Sequence, residues 1–581
     1  MLRSTALLIL PALPILLGAA ASMAAELPAP LAADLAQLAS PERAVGFAAR
    51  SDAARRGLAH IMEGRALGGP FPLDLYRLIR PDVDAATRWR TEGTLPSPFA
   101  AGAGLGESVF EGERGIRLVS KTCFECHAGT AAGYTIAGAG NAHLDVVPLV
   151  AAADRLLAWD FTRDIEKQAA RGADASRPAR DLWSPSQLPA LYRYVRDYKN
   201  YVRDFLLPPY RFASARGDNL GPYGVWLMAG NMADPEHTGV IPGAPDDPRT
   251  AHERSLLASL AYQTVDPQPW WTARFKARAY WFWDSPGHAA RDFHLNFYYP
   301  QKSVDSADTL DQHRAKFRAH LDTISEVMDY VREVPVPPLP PGQEADLRAR
   351  WTSVERGDQI FHGGPNSTGQ PMACSGCHGQ YHRTARGLEV SYANAGLIDV
   401  GTDRAYNDLM RRLAPIVART ARTRAVYGAD APDYHPLTQP GYTPPVLVGL
   451  WASAPYLHNG SVPTLSDFFR APAQRPPIWG RNVDRPLSYD AVRVGLDREE
   501  VTPETLEVKR RAAAGCAADH PAALEHRRFY DTREPGRSNQ GHPFGTDLSD
   551  AEKNALVDFL HALAPAPGES VIVPGTTPTP R

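Results

Sequence analysis

Two Cys-x-x-Cys-His motifs carry the residues of this sequence that are best suited to chemistry. Their cysteines and histidines are Cys123, Cys126 and His127 in the first motif and Cys374, Cys377 and His378 in the second. A c-type haem needs two thiols that add across its vinyl groups and one imidazole that binds the iron, and this spacing supplies all three within one helical turn. Zinc knuckles and redox dithiols also use Cys-x-x-Cys, but the histidine directly after each pair favours haem. The motifs therefore predict two covalently bound c-type haems, with His127 and His378 as proximal iron ligands.

The composition is that of an ordinary soluble globular protein. The chain has 581 residues, of which 44% are hydrophobic and 22% are charged, and its formal net charge is -3. This length is enough for two to four domains. The near-neutral charge gives no signature of a nucleic-acid or membrane-surface partner, and the 53 prolines favour long ordered loops. The fifth cysteine, Cys516, is an isolated thiol to which the sequence assigns no role.

The N-terminus has the pattern of an export signal. Arg3 provides a positive charge, residues 7–18 provide an apolar stretch, and residues 22–24 provide a small-residue cleavage site. The apolar stretch is too short for a membrane anchor and contains two prolines. We therefore predict a signal peptide over residues 1–25, no membrane span, and a mature protein in the periplasm or outside the cell.

A weak internal repeat divides the rest of the chain into two halves. Glu-Arg-Gly precedes each haem motif, at residues 113–115 and 355–357, and we interpret residues 113–116 as the start of a short helical stretch. The predicted fold class is mainly α with long irregular loops, built as two class I cytochrome c-like domains joined by loop-rich intervening segments. The predicted segments are an N-terminal extension (26–104), an N-terminal cytochrome c domain with an aromatic-rich segment between the haems (105–334), a proline-rich linker (335–342), a C-terminal cytochrome c domain (343–565) and a flexible tail (566–581).

Two helices are predicted most clearly. One covers residues 310–334 and ends at the proline run, and the other covers residues 549–562, with Asp547 or Ser549 as its cap and one apolar face. The most aromatic stretch of the chain, residues 270–299, lies between the two motifs.

The second axial position of each iron decides whether a haem carries electrons or binds a small molecule. Met372 directly precedes the second motif and is badly placed to reach the far side of that haem. His542 lies in a loop just before the last helix, which suits a distal ligand, with a surface-loop histidine as the alternative. His458 precedes an Asn-Gly turn and has three possible roles. It could bind the iron, hydrogen-bond to a residue that binds the iron, or stabilise the turn by a hydrogen bond, and chemistry alone favours the last.

These motifs resemble the bacterial di-haem cytochrome c peroxidase superfamily. The resemblance rests on two distant Cys-x-x-Cys-His motifs with the run Tyr-Leu-His-Asn-Gly-Ser-Val-Pro-Thr-Leu (456–465) behind the second. The superfamily includes the enzyme that matures the tryptophan-derived cofactor of methylamine dehydrogenase. The length, the run Gly-His-Pro-Phe-Gly-Thr-Asp-Leu-Ser (541–549) and the aromatic residues around Phe282 are most similar to the rubber oxygenase A branch. The resemblance covers about residues 105–565, densely around the second motif and thinly between the haems.

The resemblance implies unequal roles for the two haems. The haem on His127 would be catalytic, with its distal face open or holding dioxygen. The haem on His378 would be six-coordinate, with His542 as its distal ligand, and would serve as an electron relay. A calcium ion is a further implication by analogy, although no EF-hand-type loop supports it.

The resemblance also implies roles for aromatic residues. A tryptophan between the haems would couple them, and Trp283 matches best by its Phe-Trp context. Tyr298 or Phe297 would approach the distal pocket of the first haem. Ordinary core packing is the alternative for each of these residues.

Three functions are compatible with these patterns. The first is an oxygenase of the rubber-cleaving type, in which the His127 haem activates dioxygen for oxidative cleavage of an apolar alkene, either a small molecule or a polymer. The second is a cytochrome c peroxidase that reduces hydrogen peroxide with electrons from a small donor cytochrome, which needs a distal acid or base. The third is a non-enzymatic di-haem electron carrier, for which the chain is long. We rank the functions in this order.

Overall fold

A computed structural model gives the structure of the protein and describes a large part of the chain. The described residues are 29–64, 70–79, 85–100, 103–145, 147–148, 151, 183–201, 264–276, 310–393, 396–408, 411 and 439–573. The predicted signal peptide lies outside these residues, as do Trp283, Phe297 and Tyr298.

Helices joined by long irregular segments form much of the described chain. In order they are α1 (Ala29–Leu38), α2 (Asp52–Met62), α3 (Leu73–Ile79), α4 (Ala85–Glu92), α5 (Leu188–Tyr201), α6 (Leu310–Glu333), α7 (Pro341–Ala349), α8 (Trp351–Phe361), α9 (Ser375–His378), α10 (Leu465–Phe468), α11 (Pro503–Ala513), α12 (Pro521–Arg527) and α13 (Asp550–His561). Both clearly predicted helices are confirmed. α6 ends just before the proline run, and α13 follows the N-cap Ser549, which forms a capping box with Glu552.

The strands are short. They are β1 (Ala44–Val45), β2 (Phe71–Pro72), β3 (Glu107–Glu111), β4 (Arg117–Lys121), β5 (Ala128–Ala131), β6 (Tyr134–Ala137), β7 (Gln380–Thr384), β8 (Gly387–Ser391), β9 (Ile478–Arg481), β10 (Arg498–Glu500), β11 (Phe529–Asp531) and β12 (Val571–Ile572). They form three-stranded sheets with the orders β1-β6-β5, β2-β4-β3, β12-β8-β7 and β10-β9-β11. β12 lies in the segment predicted as a flexible tail, and it pairs in parallel with β8.

The region before the first motif is a β-hairpin, so the prediction of a short helical stretch there is wrong. β3 and β4 pair antiparallel, with Val109 opposite Val119, and Glu113–Gly115 form a single 3-10 turn between them. Arg114 has a φ of 58° and Gly115 a φ of 73°, and this left-handed conformation prevents a helix from continuing. The second Glu-Arg-Gly copy lies inside α8. The two copies are therefore not structurally equivalent.

A different pair of segments repeats in the structure. In the first half α2 packs on α6, and a Cβ atom on Gly57 would lie 1.9 Å from the carbonyl oxygen of Glu326. In the second half α8 packs on α13, and a Cβ atom on Gly357 would lie 2.0 Å from the carbonyl oxygen of Ala555. Each helix pair thus approaches so closely that only glycine fits at the crossing.

An arginine directly before each glycine strengthens the likeness between the two helix pairs. Arg56 pairs with Glu326 at 2.5 Å, and Arg356 pairs with Glu552 at 2.9 Å. In each half the haem motif follows the first helix of the pair in the sequence. α2 belongs to the predicted N-terminal extension, yet it packs on the last helix of the predicted N-terminal cytochrome c domain.

One buried hydrophobic cluster joins the two halves, with Trp89 and Trp271 from the first half and Trp451 from the second among its members. The proline-rich segment contributes to it, because Val336 and Leu339 are only 3% and 5% exposed. None of the described helices is long and apolar enough to cross a bilayer.

Candidate haem-binding sites

Both Cys-x-x-Cys-His motifs adopt the same one-turn backbone geometry. The backbone N–H of His127 donates to the carbonyl oxygen of Cys123 at 2.9 Å, and that of His378 donates to the carbonyl oxygen of Cys374 at 3.0 Å. This turn brings both thiols of a motif and its histidine close together, as covalent haem attachment requires. The first turn leads directly into the hairpin β5–β6, whereas the second is the short helix α9.

The imidazole of His378 is oriented by the backbone. Its Nδ1 atom lies 2.9 Å from the carbonyl oxygen of Pro445. A carbonyl can only accept, so Nδ1 carries the proton and the lone pair of Nε2 is available for a metal. Burial lowers the pKa of His378, which keeps the ring neutral and able to act as a ligand.

His542 lies across from His378. The two ring centroids are 6.2 Å apart. Two metal–imidazole bonds of about 2 Å each, added to the distance from each nitrogen to its ring centre, give about this separation. Burial lowers the pKa of His542 to about 3, so this ring is also neutral. The pair therefore has the spacing that a six-coordinate haem iron requires.

The loop that carries His542 is fixed through its backbone. His542 has a φ of 48° and follows Gly541, whose φ is 81°. The His542 N–H donates to the Val400 carbonyl oxygen at 2.8 Å. The buried guanidinium of Arg475 donates to the carbonyl oxygens of Asn539, Gly541 and His542. A strained left-handed histidine that is held by such contacts is typical of a functional position.

A cavity of about 430 Å³ lies at this pair of histidines, and the residues present fit a haem. Cys374, Cys377, His378 and His542 all line it. Most of the remaining lining is apolar and includes Phe361, Met372, Phe468, Phe469, Leu556 and Leu560. Two thiols, two neutral imidazoles and an apolar wall are the donor set and the surroundings of a c-type haem.

The first motif has a different neighbourhood. The ring of His127 stacks on Trp270, with a centroid distance of 4.9 Å and an interplanar angle of 28°. Phe124 and Tyr330 pack around Trp270 at 5.8 Å and 6.1 Å. The Nδ1 atom of His127 is buried and has no hydrogen-bond partner among the described residues, and burial lowers the pKa of this histidine to about 4. His127 is therefore also a neutral imidazole suited to binding iron.

Partly buried ion pairs hold the first motif against the β3–β4 hairpin. Lys121 on β4 pairs with Glu125, which stands between the two cysteines, at 3.1 Å, and with Glu107 on β3 at 3.3 Å. Arg88 pairs with Glu107 at 2.9 Å. The amide of Asn141 donates to the backbone oxygen of Glu125 at 3.2 Å. These contacts fix the turn that presents the thiols.

The segment Trp270–Phe275 connects the two sites. Trp270 stacks on His127, and the indole N–H of Trp271 donates to the carbonyl oxygen of Val448 at 2.9 Å. Val448 lies three residues after Pro445, which accepts from His378. One ring contact, one hydrogen bond and one loop therefore link the surroundings of His127 to those of His378.

The structure brings some of the residues singled out from the sequence together. The second motif and His542 meet at one cavity, and His458 lines the same cavity, where its ring stacks on Tyr442 at 3.9 Å. Asn459, rather than His458, makes the side-chain hydrogen bonds of the turn, to the carbonyl oxygens of Gly536 and Ser538. Trp283 and Tyr298 lie outside the described residues.

Two residues with clear structural roles at these sites were missed by the sequence reasoning. Arg475 carries no motif, because its hydrogen bonds go to backbone oxygens, one of Phe468 and three of the distant loop 539–542. From the sequence, Trp270 is only one residue of an aromatic stretch, because the neighbouring residues do not indicate that it contacts His127.

The geometry of the second site fits one class of protein. A Cys-x-x-Cys-His turn that faces a neutral histidine across an apolar cavity is the arrangement of a c-type cytochrome. The comparison with protein families agrees, since residues 441–480 match the family described as "RoxA-like, cytochrome c-like". The matched segment contains both Pro445, which orients His378, and Arg475, which holds the His542 loop. The match implies a c-type haem and fits a haem-protein oxidoreductase.

Two curated proteins of Sinorhizobium fredii (strain NBRC 101917 / NGR234) are similar to part of the chain. The uncharacterized protein y4iM is 38% identical over 118 residues, which are 20% of this chain and 21% of that protein. The uncharacterized protein y4iJ is 31% identical over 127 residues, which are 20% of this chain and 17% of that protein. The chain thus matches only about a fifth of the length of either relative.

Proposed function

We propose that the protein is an exported di-haem c-type oxidoreductase in which the two haems have different tasks. His127 would hold a haem that supplies the dioxygen chemistry for oxidative cleavage of an apolar alkene, and His378 and His542 would hold a haem that serves as an electron relay. The observation that carries this proposal is the asymmetry of the two sites. His378 faces a second histidine at 6.2 Å, whereas no histidine among the described residues faces His127, whose ring stacks on Trp270.

The relay role is supported by how the second site is built. Both imidazoles are neutral and partly buried. A backbone carbonyl orients the ring of His378, and backbone contacts hold the loop that carries His542. Electron transfer needs little change in coordination, and a rigid pair of axial ligands provides this. The segment Trp270–Phe275 then offers a packed route from this site toward His127.

The catalytic role of the first site rests on its difference from the second. When bound there, a haem supplies the redox chemistry of iron toward dioxygen. His127 provides a neutral nitrogen, and Trp270 covers one face of its ring, which fixes the ring plane. Trp270, Phe124 and Tyr330 give this side of the site an aromatic environment that excludes water.

The direct test of the oxygenase is analysis of cleavage products. The purified protein with both haems is incubated with polyisoprene or squalene under ¹⁸O₂, and the products are examined by mass spectrometry. Cleavage of one C=C bond by one O₂ yields two carbonyl groups, each with one labelled oxygen atom. We expect labelled carbonyls from the wild type and from His382→Ala, a change at an exposed histidine on β7, but not from His127→Ala. An absence of labelled carbonyls in the wild type would refute the oxygenase.

A peroxidase is the second candidate, because a relay haem with two histidine ligands also suits electrons that arrive from a small donor cytochrome. This function predicts oxidation of reduced cytochrome c by hydrogen peroxide, with loss of activity in both His127→Ala and His542→Ala. Turnover no faster than that of free haem would exclude it.

A further inference from the structure

The wall of the cavity at the second motif is not apolar throughout. Its polar side chains include Gln268, Thr272 and Lys276 from the segment between the haems, together with Thr443. Thr443 lies two residues before Pro445, which orients His378. These four side chains therefore belong to the same two segments that connect the surroundings of His127 with those of His378.

Two of these side chains have buried hydrogen-bonding atoms without a partner in the part of the chain that the structure describes. Gln268 Nε2 and Thr443 Oγ1 are buried and have no hydrogen-bond partner among the described residues. Lys276 is only 5% exposed, and its Nζ atom donates to Gln268 Oε1, which leaves the Gln268 amide N–H group as an oriented donor. Unsatisfied buried donors are costly, so native proteins place an acceptor at such a point.

We infer that Lys276, Gln268 and Thr443 form a clamp for a propionate group of the haem bound at His378. This inference rests on the proposed haem at the second motif. A haem held by its vinyl edge at Cys374 and Cys377 carries its two carboxylates on the opposite edge. A carboxylate accepts from an amide, a hydroxyl and an ammonium group at once.

The charges in the cavity fit this assignment. Among the described residues that line the cavity, Lys276 is the one cation and Asp266 is the one acid. Burial raises the pKa of Asp266 well above its usual range, against the opposing effect of Arg481, so Asp266 can stay neutral beside a carboxylate. Burial lowers the pKa of Lys276 to about 7, and a propionate beside it would raise that pKa again.

The clamp has a consequence for electron transfer. A cation close to a haem stabilises its reduced form, which holds one more electron. Lys276 follows the turn Trp270–Phe275, which also holds the ring stacked on His127. One short segment would thus both set the potential of the relay haem and connect it to the other haem.

The test is an EPR-monitored redox titration of the low-spin haem in the intact protein with both haems bound. Lys276→Met should shift the reduction equilibrium about tenfold toward the oxidised form, which is about 59 mV more negative for a one-electron couple. Lys276→Arg keeps the charge and should stay close to the wild type. Lys509→Met, which removes a surface cation paired with Glu525, is the control for a general loss of charge. Gln268→Leu should change the propionate bands in the resonance Raman spectrum while the charge is kept.

Two outcomes would overturn the clamp, and they are distinguishable. If the protein carries two haems by haemochrome assay, but neither Lys276→Met nor Gln268→Leu changes the potential or the propionate bands, the clamp is wrong and the proposed function stands. If the wild type carries no haem at the second motif, both the clamp and the relay fail.

Discussion

At the level of single residues, the second site depends on a histidine whose backbone is held more firmly than its ring. The His542 N–H, its carbonyl oxygen and the neighbouring Gly541 are all bound by groups far away in the sequence. Its ring contacts Phe468 and Phe544, whose apolar side chains do not form hydrogen bonds with the imidazole nitrogens. The imidazole is therefore left to bind a metal.

Replacement of His542 should change the spin state of one haem. His542→Ala is expected to convert the low-spin signal of the His378 haem to high spin, because the sixth ligand is lost. His542→Met should keep six ligands and raise the potential, since thioether ligation favours the reduced iron. Absorption and EPR spectra measure both effects, with His382→Ala as the matched control.

The double variant His542→Ala with Met372→Leu excludes rescue by the methionine that lines the same cavity. An unchanged low-spin spectrum in that variant would refute ligation by His542.

Trp270 should control the rate at which the two haems exchange electrons. Trp270→Phe removes the indole that stacks on His127, and we expect inter-haem transfer to slow at least several-fold while both potentials stay near the wild-type values. Stopped-flow reduction, followed at the absorption bands of each haem, measures the rate. Trp479→Phe, at a buried tryptophan stacked on Tyr530, is the control. Equal rates in wild type and Trp270→Phe would remove Trp270 from the electron route.

The cysteine and histidine positions of this site could be predicted from the sequence, but the contacts that surround them could not. Cys-x-x-Cys-His is a local pattern, so attachment residues can be found from spacing alone. The position of His542 before the last helix, together with the family resemblance, pointed to its role. Trp270 and Arg475 act through partners more than 60 residues away. Their roles become visible only when the chain is folded.

At the level of elements, the two helix crossings carry the repeat that relates the halves. Each combines a glycine at the closest approach with an Arg–Glu ion pair one residue earlier. The predicted repeat of Glu-Arg-Gly pairs the wrong segments, because the copy nearest to the first motif lies in a turn and not in a helix. A shared three-residue string says nothing about packing, whereas the crossing glycine is defined by the partner helix.

Alanine at the crossing should destabilise the protein. In Gly357→Ala the new methyl group would meet the carbonyl oxygen of Ala555 at 2.0 Å, so the helices must move apart. We expect a loss of about 1–3 kcal/mol in the free energy of unfolding, as for other overpacked cores. Urea unfolding measures it. Gly342→Ala in α7, where nothing lies within 4 Å of the new atom, should be neutral or slightly stabilising. Equal stabilities of the two variants would contradict the close crossing.

The cap of α13 should make stability depend on pH in the acid range. Hydrogen bonds, first of all from Ser367, lower the pKa of Glu552 to about 2 in the folded chain, against 4.5 without them. A lowered folded-state pKa stabilises the fold above about pH 4.5, and this contribution is lost as the pH falls toward 2. Glu552→Gln should therefore be less stable than the wild type at pH 7, with a difference that shrinks below pH 4.5. Urea unfolding at several pH values tests this, and a difference independent of pH would contradict it.

At the level of the whole molecule, the two halves share one hydrophobic core, but the surroundings of their Cys-x-x-Cys-His motifs differ. Buried side chains from both halves form one cluster, and the buried pair Asp145 and Arg527, at 2.9 Å, links residues 382 positions apart. The two predicted cytochrome c-like domains stay a prediction, which the repeated helix crossing supports. Long-range packing of this kind has no signature in a single sequence, since neither partner is recognisable without the other.

Binding of carbon monoxide to the reduced protein tests the central claim most directly. A six-coordinate haem with two histidine ligands excludes the gas, whereas a haem with an open position binds it. We predict one carbon monoxide molecule per chain with two haems in the wild type, and two per chain in His542→Ala. Titration followed by the Soret band gives the stoichiometry. No binding in the wild type would make the protein an electron carrier, and two molecules bound in the wild type would contradict the unequal roles of the His127 and His378 haems.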